Sequence, residues 1–241
     1  MRLQNLASDT TVSSGDLHDI LLAGLNDQNP RVRRAALVSV AARAGIPRVA
    51  SVEQYRTKRA TLEGLSAKIS ELVADKDAGV RRDAIDATAA LEEDLSQPVG
   101  STKILHRELG KTLIARYDVE PDSLVRNRIV NVFAWFRPEQ QFRTEAFNLV
   151  ERALRDSDPG VVQVAIDAVK RHHVERLLPE VVRLLTNASS GVRASAANAI
   201  GDFGQSASRF VSELEAVQRV ESDEIVRVNL QSTLAKLKRR P

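Results

Sequence analysis

The sequence predicts an all-α fold, a right-handed α-solenoid of about six two-helix repeats, and three observations carry that expectation. One phrase recurs six times along the 241 residues: an acidic or amide residue, a short turn, Val-Arg, then an Ala-rich helix. An amphipathic segment with apolar residues at helical spacing precedes each copy. Ala, Val and Leu dominate an apolar content of 43%, against only 4% aromatics, a mixture suited to closely packed helices rather than to aromatic and β-branched strands.

In chain order the phrases read DQNPRVRRAAL from Asp27, DKDAGVRRDAI from Asp75, EPDSLVRNRIV from Glu120, DSDPGVVQVAI from Asp156, NASSGVRASAA from Asn187 and ESDEIVRVNLQ from Glu221. Their pivots are Val32, Val80, Val125, Val161, Val192 and Val226. Each unit is expected to be a helix A, a tight turn and a helix B, with repeats near 16–44, 65–93, 106–137, 141–172, 175–203 and 207–238. In the first helix A, Leu17, Ile20, Leu21 and Leu25 share one face. Asp27, Asp77 and Asp158 are candidate caps for helix B, and Pro30 and Pro159 stand where a missing N–H costs little.

Along helix B, counted from the pivot, position +4 holds Ala36, Ala84, Ile129, Ala165, Ala196 and Leu230, and position +8 holds Val40, Thr88, Phe133, Val169, Ile200 and Leu234. With the pivots these rows form the expected buried stripe. Small residues at +7 (Ser39, Ala87, Ala168, Ala199) let neighbouring helices approach closely. Residues 1–15 read as a disordered polar lead, 45–64 as an insertion with an extra helix near 52–62, 94–101 as a loop, and LKRRP as a basic end.

Composition bounds the chemistry. The 35 Lys plus Arg against 32 Asp plus Glu leave a net charge of +3, too small a surplus to imply nucleic acid by itself. Without cysteine there is no disulfide, thiolate metal site or Cys nucleophile. No signal-peptide core or long apolar run is visible, so a cytoplasmic protein without membrane attachment is the expectation.

The repeated phrases resemble the HEAT-repeat family in its short bacterial form, the phycobilisome-lyase HEAT-like repeats, with the signature Asp-x-x-Pro-x-Val-Arg-x-x-Ala. The resemblance implies a ladder between adjacent repeats, with Asp27, Asp75 and Asp156 as turn acids and Arg33, Arg81, Arg126, Arg193 and Arg227 as their arginines. Repeat four has Val162 at the Arg position, so the ladder is expected to be interrupted there. HEAT-like deoxyhypusine hydroxylases carry repeated His-Glu dipeptides for iron, and none occurs here. HEAT-like DNA glycosylases and bilin lyases leave two alternatives open, a nucleic-acid-binding or DNA-repair protein and an accessory subunit of a bilin lyase-type enzyme.

No phosphate loop, nucleophile elbow or catalytic carboxylate pair is found, and the sequence predicts no enzyme, no cofactor and no metal site. His172 and His173, at the end of a helix B, read as solvent-exposed histidines favoured by the helix dipole. In such arrays the B helices line the concave face, read here from positions +2, +6 and +10. The candidate partner-binding residues are Arg34, Arg82, Asp86, Arg128, Asn131, Trp135, Asp167, Arg171, Asn198 and Asp202. Asp86, Asp167 and Asp202 oppose a phosphate backbone, which favours a partner protein or peptide over nucleic acid. Trp135 is read either as an anchor on that face or as a core residue packed on the neighbouring repeat.

Overall fold

The computed structural model describes residues 14–44, 61, 64–96 and 104–238. They belong to two compact units, Met1–Ile129 and Val130–Pro241. The first contains α1 (Ser14–Leu25), α2 (Pro30–Ala44), α3 (residues 64–72), α4 (Ala78–Ser96), the two-residue strand β1 (Ile104–Leu105), α5 (Arg107–Val119) and the start of α6 (Ser123–Trp135). Here α1 packs on α2, and α2 on α4. The second contains the end of α6, β2 (Arg137–Pro138), α7 (Arg143–Ala153), α8 (Pro159–Arg171), α9 (Leu178–Arg183), α10 (Ser190–Asp202), α11 (Val211–Val220) and α12 (Glu224–Lys238), with 3-10 turns between several of them. In this unit α8 packs on α7 and α10, and α12 packs on α10 and α11. Within each unit, B helices thus contact both a helix A and the helix B of an adjoining repeat, as α2 does in the first unit and α8, α10 and α12 do in the second, the arrangement of an all-α repeat solenoid.

The turns explain where helix B begins. In every phrase the first residue holds the turn, and in all but the fifth, where Ser189 makes no side-chain cap bond, the residue two places later caps the helix. Asp75 Oδ1 accepts the N–H of Asp77 at 2.8 Å, and Asp77 Oδ1 then accepts the N–H of Val80 at 2.9 Å. Asp158 likewise accepts from Gly160 and Val161, ahead of Pro159 at the start of α8. Asp27 is not the cap of α2. Its carboxylate accepts the N–H of Asn29, and the Asn29 side chain accepts from Arg31. The same division of labour makes Asp122 and Asp223 the caps of α6 and α12.

The core is the stripe of small and branched residues on the B helices. All six +4 residues are fully buried, as are Val40, Phe133, Val169 and Ile200 at +8. Position +5 joins them through Leu37, Ile85, Val130, Ile166 and Ala197, because a stripe wide enough to touch both helix A and the next helix B takes adjacent positions. Thr88 is half-buried and back-bonds to Ala84 O, and Val32 is also only half-buried. Ile20 departs from the expected buried face of α1: it is exposed while Leu17, Leu21 and Leu25 are buried.

Close helix approach is visible at Gly201 on α10. A Cβ there would stand 2.8 Å from Thr233 Oγ1 of α12, and that hydroxyl donates to Ala197 O at 2.7 Å. Of the remaining expectations, residues 1–13 of the lead, the extra helix near 52–62 apart from residue 61, and most of the 94–101 loop lie outside the described residues; residues 14–15 begin α1 and residues 94–96 end α4.

Candidate functional site

The turns carry a series of arginines, of which Arg33 and Arg81 are buried. Arg33 reaches back to Asp27 O and Gln28 O and forward to Asp75 Oδ1 at 2.8 Å. Arg81 repeats this one unit on: it donates to Asp75 O and Lys76 O, and its fork meets both carboxylate oxygens of Glu120 at 2.6 and 2.7 Å. Arg116 adds a third bond to Glu120, whose side chain is fully buried. Arg126 donates to Glu120 O and Pro121 O, and Asp156 accepts the N–H of Asp158. Arg193 holds Asn187 O and Ala188 O and meets both oxygens of Glu221 at 2.7 and 2.9 Å. Arg227 is exposed, and Val162 is buried where the other repeats have Arg.

These contacts set the ionisation of the acids. Bonds from Arg193 outweigh burial and hold the Glu221 carboxyl at about 2. Burial pushes Asp75 and Glu120 up, but hydrogen bonds from Arg33 and Arg81 and from backbone N–H groups prevail, leaving both below the usual carboxylate range. Sequence reading passed over Glu120 and Glu221, although their position in the repeated phrase is that of Asp75. These groups bind one another, so this network is structural.

The outward face of the B helices is different. In the first unit Arg34 bonds Asp83 at 2.7 Å across α2 and α4, Arg82 lies 4.0 Å from the same carboxylate, and Arg128 bonds Asp86 at 2.8 Å. Burial pushes the Asp86 carboxyl up despite Arg128. Asp83, which takes two of these arginines, was not among the residues expected here. In the second unit Asp167 and Asn198 are exposed and Asn131 is half-exposed. Asp202 takes Lys236 at 3.4 Å and Lys170 at 4.0 Å, and Lys170 also meets Asp167 at 3.7 Å.

Trp135 is not a core residue. It is 54% exposed at the end of α6, while Val132, Phe133 and Phe136 beside it are buried. The Arg171 guanidinium of α8 lies over its ring, 3.6 Å from the centroid.

Of the two adjacent histidines, His173 is solvent-exposed as expected, whereas His172 departs from expectation. His172 is no solvent-exposed cation: its ring packs on Phe147 and its Nε2 donates to Phe133 O at 2.9 Å, near the last carbonyls of α6. Burial, reinforced by Arg143 and Arg171, pushes its pKa down, so the neutral ring is favoured. His173 takes a left-handed conformation with φ 51° and stacks on Phe203. Among the described residues no group of three or more His, Asp or Glu is placed to hold a metal ion, and no helix is long and apolar enough to cross a membrane.

Comparison with known proteins places this geometry. The family of HEAT repeats matches residues 146–235. A search of curated proteins returned no match. Among solved structures, a designed armadillo repeat protein in complex with the peptide (KR)4 is 17% identical, with a TM-score of 0.60 over 90% of this chain and 98% of its own. An archaeal HEAT-like repeats protein from Thermococcus onnurineus NA1 is 13% identical, with a TM-score of 0.59 over 98% of this chain and 90% of its own. A Kap121p mutant is 14% identical at a TM-score of 0.66, covering 98% of this chain but 24% of its own. With the repeated turns and paired helices described above, the chain is an all-α repeat solenoid of the HEAT-like and armadillo kind, carrying HEAT repeats over residues 146–235.

Proposed function

We propose that this chain is a non-enzymatic scaffold that binds a partner protein or peptide along the outward, concave face of its B helices. The observation that carries the reading is Trp135, a large aromatic left 54% exposed amid polar side chains on a fold whose other aromatics largely serve the core. Exposed Trp on a polar face is the composition of a binding anchor, because a rigid ring gains much contact area and loses little conformational freedom. Asn131, one turn before it on α6, supplies both donors and acceptors, and the exposed Asn198 of α10 supplies the same groups in a later repeat, as recognition of an extended backbone requires. The designed armadillo protein that shares the fold was solved with a bound peptide, which agrees with this use of the surface.

The test is a paired measurement on the partner copurified from the native host. Trp135→Ala and Asp167→Ala should each weaken its binding, the former by about 2 kcal/mol or roughly thirtyfold, while the melting temperature stays nearly unchanged. Intact binding in both variants would remove the face from consideration.

A further inference from the structure

Building on that reading, we infer that the segment bound beside Trp135 is an acidic peptide, with a carboxylate docking on Arg171. The charges of this face in the second unit are unevenly matched. Asp167 is met by Lys170, and Asp202 by Lys170 and Lys236. Among the described residues Arg171 has no carboxylate partner; its guanidinium lies over the Trp135 ring. The surface therefore neutralises its own acids and leaves one guanidinium over.

That guanidinium is also oriented. Held against the indole at 3.6 Å, it keeps the N–H donors along its edge in the plane of the fork, where a carboxylate accepts two of them at once. Stacking removes much of the rotamer freedom that a long exposed side chain would otherwise lose on binding. The methylene groups of an Asp or Glu then fall beside the uncovered part of the ring. A basic ligand finds the opposite situation: Arg171 repels it from the aromatic, and the two carboxylates it would seek already carry lysines. A nucleic acid could also place a phosphate on Arg171, and the oligothymidylate arm of the test below tells the two apart.

Because Trp135 is the single tryptophan, its fluorescence reports directly on this position. The full chain is titrated with an octapeptide of alternating Asp and Glu, with (KR)4, and with an eight-residue oligothymidylate. The acidic peptide should perturb the Trp135 emission, with affinity falling as salt rises, and should bind at least about tenfold more tightly than the other two. Arg171→Gln should weaken it about tenfold or more, and Arg171→Lys less, with unchanged melting temperature since the side chain is exposed. Equal binding of the acidic peptide to wild type and Arg171→Gln, or tighter binding of (KR)4 or the oligonucleotide, overturns the acidic assignment while keeping the face as a binding site. If no probe perturbs Trp135 and the copurified partner is indifferent to Trp135→Ala, this inference and the proposed face fall together.

Discussion

Replacing Arg81 with Met keeps an unbranched stem of similar reach and removes the charge from the most enclosed rung of the turn network. Arg81 is 6% exposed and makes four bonds: two to the backbone carbonyls of Asp75 and Lys76, and two to the Glu120 carboxylate. Glu120 has no exposed side-chain surface, so without Arg81 it must be held by Arg116 at 2.7 Å and the N–H of Asp122 at 3.0 Å. Breaking a buried pair commonly costs about 3–5 kcal/mol because the abandoned charge stays buried. The two remaining partners place this case near the lower end, at about 3 kcal/mol, and two carbonyls left without their charged donor keep it from falling further. For a chain of this size that corresponds to a melting temperature lower by about 6–12 °C. Urea unfolding followed by far-UV circular dichroism measures the loss, and a cycle with Glu120→Gln isolates the pair, with an expected coupling of about 2 kcal/mol. A loss below about 1 kcal/mol for Arg81→Met, or strict additivity with Glu120→Gln, would refute the argument that these turns are joined through buried charge.

Three further outcomes follow from the same contacts. Glu221, at about 2, and Asp75 and Glu120, below their usual range, have folded pKa values under the unfolded ones; their contribution is complete above about 4.5 and lost as pH falls toward about 2, so thermal melts between pH 6 and 2.5 should show a progressive drop, reduced in Arg193→Met. His172 acts in a separate window: burial favours its neutral form, so stability is full above the ordinary value of 6.5 and declines as the pH drops below it, and His172→Gln, which can still donate to Phe133 O, should flatten that decline; an unchanged slope would contradict the burial of the ring. Gly201→Ala should destabilise by about 1–3 kcal/mol despite the roughly 1 kcal/mol gain in helix propensity, because the new methyl meets the β-branched Thr233; a higher melting temperature would show that α10 and α12 can separate freely.

Much of the fold was legible because a repeat states its rules six times. The +4 residues could be assigned to the core, and are buried without exception, since a fixed offset from Val on a helix returns the same face in every copy. The turn acids could be recognised as helix-starting residues, but only the coordinates separate the acid that closes the turn from the residue two places on that caps the helix, as Asp27 and Asn29 illustrate. Ile20 shows a related limit: helical spacing tells which residues share a face, whereas its exposure beside the buried Leu17 and Leu21 is set by the tertiary packing.

What the sequence by itself determined is therefore whatever depends on local order: the helix–turn–helix unit, its Ala-rich stripe, the absence of cysteine chemistry, and the substitution of Val162 and Asn187 into an otherwise charged pattern. The tertiary structure decided what depends on contacts between residues far apart in the chain. Trp135 is equally apolar in a core or on a face, and only the position of α8 leaves its ring open with Arg171 laid across it. His172 reads as a cation at a helix end until Phe147 and the Phe133 carbonyl enclose it. Periodicity is a property of one helix, but exposure and ionisation are set by the neighbour that removes water from the side chain, and the sequence of one helix does not contain that neighbour's distance.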